Sequence, residues 1–298
     1  MNYTIQIRHK AGIITLFTLF AACSHAAEVK ERVLLYPTVL KNATNILEDA
    51  QWRLPFGDSD AYTVERQKGS PFSDEAPAWH IRLNAPEGAY WRAYPNVQVG
   101  RRYLYGAWVR VDNANILLRA YCNRVSDGTL YDQRLYCYGG FNAYLLPYLS
   151  ARMAKKLVGN PDEWKLCYRI LTFPEAVKGD RFCAAMGVYL STGAMTFTEP
   201  FLIDITDSNE RSLTIDVSGA RPFRRLSIIA TGLGDIVWSK EFPEPVTSYK
   251  GVVPAELADF ERGQGEDVIE GHTLEVTYVD GSVCMAHSPQ EKIFTKRK

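Results

Sequence analysis

The chain has 298 residues, 34 basic against 34 acidic side chains and 46% hydrophobic residues, an ordinary globular composition long enough for one large or two modest domains. A formal charge of zero without a basic patch excludes a nucleic-acid footprint, and the N-terminal apolar run is too short for a permanent membrane span. Tyrosine (17) and tryptophan (6) are generous, and 21 glycines and 15 prolines mark many turns.

Arg8, His9 and Lys10 precede the apolar run Ala11 to Ala22, followed by small residues, the pattern of an export leader. Two processing readings stay open. Ser24-His25-Ala26 offers a small-x-small site cut before Ala27, making residues 1–26 a signal peptide. Phe20-Ala21-Ala22-Cys23 resembles a bacterial lipobox with Phe in its first position, which would put a lipid anchor on Cys23. Either reading predicts a secreted, periplasmic or cell-surface protein. Removing the leader leaves a mature charge of about −2.

Beyond a short linker, Ala61 to Gln67 and Trp79 to Leu83 alternate as strands around a Gly/Pro/Ser-rich loop. The stretch Asn96 to Tyr138 is the centre of the sequence. At period two, Tyr103, Tyr105, Ala107 and Val109 share one face, and Leu104, Gly106, Trp108 and Arg110 the other. Arg119, Tyr121 and Asn123 oppose Leu118, Ala120 and Cys122; Asp132, Arg134, Tyr136 and Tyr138 oppose Gln133, Leu135 and Cys137. One face is core-like, and the other mixes rings with guanidinium and amide groups. A tight turn at Asp127-Gly128 would set Cys122 opposite Gln133 and Cys137 opposite Leu118, roughly 13 Å apart along the ladder and beyond disulfide reach. Past the leader five cysteines remain (Cys122, Cys137, Cys167, Cys183 and Cys284), an odd number.

Phe141 to Val158 breaks the pattern: its second half suits two helical turns ended by Gly159, or a loop over a sandwich edge. Strands resume at Trp164 to Phe173, Arg181 to Leu190 and Phe197 to Ile205. After the polar break Asp207 to Glu210 come Ser212 to Val217, Leu226 to Ala230, Asp235 to Phe242 and Ser248 to Val253. Asp280-Gly281 between Leu274–Val279 and Ser282–Ala286 is a strong hairpin signal. Strands about every ten residues, with no helices between, predict an all-β chain of two tandem β-sandwiches, 32–206 and a smaller 209–298.

Residues 40 to 205 resemble the jelly-roll carbohydrate-binding modules of the galactose-binding-domain-like group. The likeness rests on Leu47-Glu48-Asp49 before Trp52, Val97 to Tyr103 leading into Ala107-Trp108-Val109-Arg110, Trp164 to Pro174, and Phe201 to Ile205. Residues 211 to 290 resemble a small immunoglobulin-like module. The first resemblance implies sugar binding, and also a structural calcium ion held by Glu48, Asp49 and Asp204.

Sugars present an apolar C–H face and a rim of hydroxyls; aromatic planes stack on the first, and Arg, Asn and Asp groups bond the second. Trp108, Tyr121, Tyr136 and Tyr138 with Arg110, Arg119, Asn123 and Arg134 are expected to supply both on one face, with Tyr90, Trp91 and Tyr94 as its wall. No nucleophile elbow, metalloprotease helix, P-loop or Cys-x-x-Cys is present, and His80, His272 and His287 are far apart. The expectation is a non-enzymatic, poly- or oligosaccharide-binding envelope protein; the alternative is a structural or adhesion protein with envelope protein partners.

Overall fold

A computed structural model describes residues 31–53, 60–112, 114–122, 132–138, 162, 164–172, 182–189, 192–208, 212–230, 236–254 and 272–288. The leader, Cys23, Asn123, the Asp127-Gly128 turn and the Phe141–Val158 segment lie outside the described residues.

The chain opens with β1 (Arg32–Pro37) and a single helical turn, α1 (Val39–Asn42). There follow β2 (Tyr62–Lys68), β3 (Pro77–Leu83), β4 (Gly88–Ala93), β5 (Arg102–Asp112), β6 (Asn115–Cys122) and β7 (Asp132–Tyr138). Then come β8 (Lys165–Thr172), β9 (Phe182–Tyr189) and β10 (Gly193–Asp204). The last four are β11 (Ser212–Ala230), β12 (Ile236–Pro254), β13 (His272–Tyr278) and β14 (Val283–Ser288).

Strands β2 to β10 make a jelly-roll β-sandwich. One sheet runs β2-β3-β10-β5-β8, the other β4-β9-β6-β7. Between β2 and β10 the chain passes from one sheet to the other at every connection except β2–β3 and β6–β7. The expected period-two face is the core: Tyr103, Tyr105, Ala107 and Val109 meet Leu118 and Ala120 of β6 and Phe182, Ala184 and Met186 of β9. Trp52, Ile81, Trp91 and Phe197 fill the same layer. At Gly106 and Gly187 the backbones pack so closely that a side chain has no room: a Cβ on Gly187 would lie 2.0 Å from the Ala89 carbonyl oxygen.

The C-terminal part departs from the immunoglobulin-like expectation. Instead of four short strands in two facing sheets, Ser212–Ala230 and Ile236–Pro254 are two strands of 19 residues each. They bend where the ladder shifts, between Ser218 and Phe223, around Arg221-Pro222. One five-stranded sheet results, β1-β11-β13-β14 with β12 on the other side of β11, around Ile215, Phe223, Leu226 and Leu274. The Asp280-Gly281 hairpin forms as expected, with Gly281 at φ 79 and the Gly281 amide donating to the Tyr278 carbonyl.

Arg32–Pro37, expected at the head of the first sandwich, belongs to this last sheet. It pairs with β11 from Arg32↔Ser218 to Pro37↔Leu213. Its alternate residues face two ways. Leu35 packs into the core of the C-terminal sheet, while Leu34 and Tyr36 pack on the outer side of β5, β8 and β10 with Trp108, Tyr168 and Phe201. Register at β6–β7 also differs from expectation. Ala120 stands opposite Gln133 and Ile116 opposite Cys137, a shift of two residues from the expected pairing. Both patterns keep the same residues on the same face, and Cys122 and Cys137 end up farther apart than expected. Among the described residues Cys167 and Cys183 are free thiols.

Candidate functional site

The expected single ligand face is divided between the two outer surfaces of the sandwich. Alternation within a strand says which residues share its face, but β5 lies in one sheet and β6 in the other. Trp108 and Arg110 therefore point away from Arg119 and Tyr121.

On the β5 side the rings are covered. Trp108 is 4% exposed and packs edge-on against Tyr36 of β1 (6.3 Å) and Phe72 (5.6 Å). Arg110 lies 4.0 Å over the Trp164 ring, and burial lowers its guanidinium below the usual range. Trp91, expected as a wall, points into the core at 2% exposure, its indole N–H donating to the His80 carbonyl at 3.3 Å. For Trp91 and Trp108 packing replaces ligand contact.

On the β6 side a trough is built from the register. β9 is central, and its outward residues Cys183, Ala185 and Gly187 are small. β4 sets Arg92 beside Ala185 and Tyr90 beside Gly187. β6 sets Tyr121 beside Cys183 and Arg119 beside Ala185. Tyr94, just past β4, reaches the Cys183 thiol from one side and Tyr121 from the other. A low floor is thus flanked by two rows of rings and guanidinium groups, all half-buried.

Within these rows the groups hold each other. The Arg119 guanidinium sits 4.2 Å over the Tyr121 ring, and exposed Arg53, paired by backbone with Arg92, lies 5.7 Å over Tyr94. From beneath, the buried Tyr105 hydroxyl donates to the Arg119 and Ala185 carbonyls, fixing the floor to β6. Burial, with the Cys183 thiol beside it, pushes the Tyr121 hydroxyl up to about 12, so it stays neutral. Burial also raises the Cys183 thiol, against the hydrogen bonds of Tyr121 and Tyr94 and the charges of Arg92 and Arg119. The floor is therefore an uncharged thiol rather than a nucleophile.

Of the other expected residues, Arg134 stands opposite Arg119 in the β6–β7 ladder, Tyr136 opposite Leu117 and Tyr138 opposite Asn115. The backbone thus sets β7 beside the trough. Tyr90 and Tyr94, expected as a wall, lie on the outer side of the β4 segment beside this floor, together with Arg53, Arg92 and the Cys183–Gly187 row, which are not among the expected residues. Tyr-Trp-Arg-Ala-Tyr at positions 90–94 already carried that alternation, whereas the floor is visible only once β9 is known to be central.

The expected calcium ligands do not fit a cation cage. The Asp204 carboxylate is bound by Arg101 at 2.5 Å and by the Thr206 amide at 2.9 Å. Burial would raise it, but these hydrogen bonds and the Arg101 charge hold it below its ordinary value. Glu48 and Asp49 are exposed in a separate turn. Among the described residues no three His, Cys, Asp or Glu side chains are grouped to hold a metal ion.

No family model matches the chain, and no curated protein matches it. Solved structures resemble it in part. A family 16 carbohydrate binding module aligns over 54% of this chain and 96% of its own, with a TM-score of 0.35 and 11% identity. The C-terminal family 22 carbohydrate binding module of Clostridium thermocellum Xyn10B aligns over 54% and 90%, with a TM-score of 0.36 and 12% identity. The xylan-binding domain of Paenibacillus barcinonensis Xyn10C aligns over 61% and 99%, with a TM-score of 0.35 and 7% identity.

Proposed function

We propose that this is an exported, non-catalytic protein that binds poly- or oligosaccharide in the trough over β9. The observation that carries the reading is the pairing of rings with guanidinium groups along one low floor. Tyr94 and Tyr121 flank Cys183, and Arg92 and Arg119 flank Ala185. A sugar ring lying over small residues meets aromatic planes for its C–H face and fixed N–H donors for its hydroxyls. Arg119 held over Tyr121 and Arg53 over Tyr94 reduce the rotamer freedom lost on binding. The leader at residues 8–22 supports a location outside the cytoplasm, secreted or held at the envelope through Cys23.

The test is native affinity electrophoresis of the full chain through gels containing neutral and acidic polysaccharides. The parent protein is retarded by at least one of them. Tyr94→Ala and Tyr121→Ala each weaken that retardation roughly tenfold, the effect of losing one stacked ring. Unretarded parent protein across the panel, or unchanged retardation in folded variants with both rings removed, would reject the trough as a sugar site.

A further inference from the structure

The opposite outer face of the sandwich holds a cleft of about 590 Å³, bounded by β1, α1, the loop bearing Phe72 and the middle of β10. This volume is within the ordinary range for small-ligand sites. Tyr36, Phe72 and Trp108 line it as a mutually edge-on cluster, with centroids 5.6 to 6.3 Å apart.

The polar group set against these rings is Glu199. The β10–β5 ladder shifts between Thr198 and Phe201, so Glu199 and Pro200 leave the pairing. Glu199 has φ 46, the one positive value on a non-glycine among the described residues. A side chain in that conformation is strained, and the residue before a proline is ordinarily extended, so the surroundings must impose it. The result is a half-buried carboxyl lining an aromatic cleft instead of a ladder position. Burial raises its pKa, and the Ser70 hydroxyl is the counterweight. Lys41 is the one cation among the lining residues, and its ammonium sits 4.9 Å over the Tyr36 ring instead of pairing with Glu199. Among the described residues the buried Tyr36 hydroxyl has no hydrogen-bond partner.

A carboxylate that no cation among the described residues neutralises, beside an aromatic cluster of which one ring already holds an ammonium, is complementary to a positively charged organic group. We propose that this cleft binds a small organic ammonium ion, its charge held between the Glu199 carboxylate and the half-buried Phe72 ring at the edge of the aromatic cluster. The site is separate from the trough over β9 and does not depend on sugar binding there.

The experiment titrates the full chain with choline, with tetramethylammonium and with 3,3-dimethylbutan-1-ol, the uncharged isostere of choline. Tryptophan fluorescence and calorimetry give the readout. Choline and tetramethylammonium saturate, and the neutral alcohol binds at least about tenfold more weakly, the effect of losing one charged partner. Glu199→Gln loses a similar factor for choline and none for the alcohol. Equal affinity for choline and its neutral isostere on the parent protein would overturn the proposal, whether or not the variant folds. So would a lack of saturation by either cation, or choline binding unchanged in Glu199→Gln.

Discussion

Glu199 joins two costs that a fold rarely carries together: backbone strain at φ 46 and a carboxyl raised by burial. The second has a definite pH signature. The folded-state value lies above the unfolded one, so folding takes up a proton between the two. The charge therefore costs stability above the folded value, and the cost disappears once pH falls below the ordinary glutamate range. Lys41 and Glu48 line the same cleft, but the shift comes from burial, opposed by the Ser70 hydroxyl. Glu199→Gln should melt above the parent near neutral pH, with the gain fading at about pH 4. Asp204 is the control of opposite sign. Its lowered carboxyl stabilises the fold above the ordinary aspartate value and loses that as pH falls through the folded value. Asp204→Asn should therefore melt below the parent at neutral pH, with the deficit shrinking in acid. Melting temperatures of the three proteins across pH check both signs; Glu199→Gln melting lower at neutral pH would refute the burial argument. At this scale the sequence was partly legible. The alternation of Tyr103 to Val109 identified the core side of β5, and that of Tyr90, Arg92 and Tyr94 the outer side of the β4 segment. Thr198-Glu199-Pro200 reads only as the middle of a strand, because positive φ on a glutamate is imposed by distant contacts.

One of those contacts is Asn45, which shows how the β10 element is kept kinked. Its amide nitrogen donates to the Pro200 carbonyl at 2.9 Å, and its oxygen accepts from the Leu202 and Leu47 amides at 3.0 Å each. These bonds supply partners for backbone groups at the interrupted part of the ladder. Asn45→Ala removes all three and leaves two amides without that acceptor, so it should cost about 2–3 kcal/mol in urea unfolding. It should also weaken cation binding in the cleft, since the kink presents Glu199; a stable Asn45→Ala protein with parental choline affinity would contradict this. Element boundaries were legible where turn chemistry is local, as at Asp280-Gly281. They were not at Arg221-Pro222, which reads as a break but is a bend inside β11, since both halves keep pairing with β12. The same limit applies to Trp108. Its face on β5 was readable, but its cover is Tyr36, a residue 72 positions earlier on a strand assigned to a different sheet.

At the scale of the molecule, β1 decides whether the jelly roll and the C-terminal sheet behave as one body. It is hydrogen-bonded to β11, and Val33 and Leu35 point into that sheet's core. Leu34 and Tyr36 point the other way, onto Leu104, Trp108, Leu166, Tyr168 and Phe201 of the sandwich. The Thr38 hydroxyl adds a polar tie, meeting the Thr214 hydroxyl at 3.0 Å and the Ser212 hydroxyl at 2.8 Å. A strand whose two faces are buried in different cores cannot leave one without exposing the other, so unfolding of the two parts is coupled. Leu35→Ala opens a cavity in the sheet's core and Tyr36→Ala one against the sandwich, each costing about 2–5 kcal/mol. Calorimetry of the full chain should show a single endotherm in all three proteins, shifted down as a whole by either substitution. Two separated transitions, with Leu35→Ala moving one and Tyr36→Ala the other, would mean that β1 joins the sheets without coupling them. In that case the cleft beside Tyr36 would lie between two parts that unfold independently.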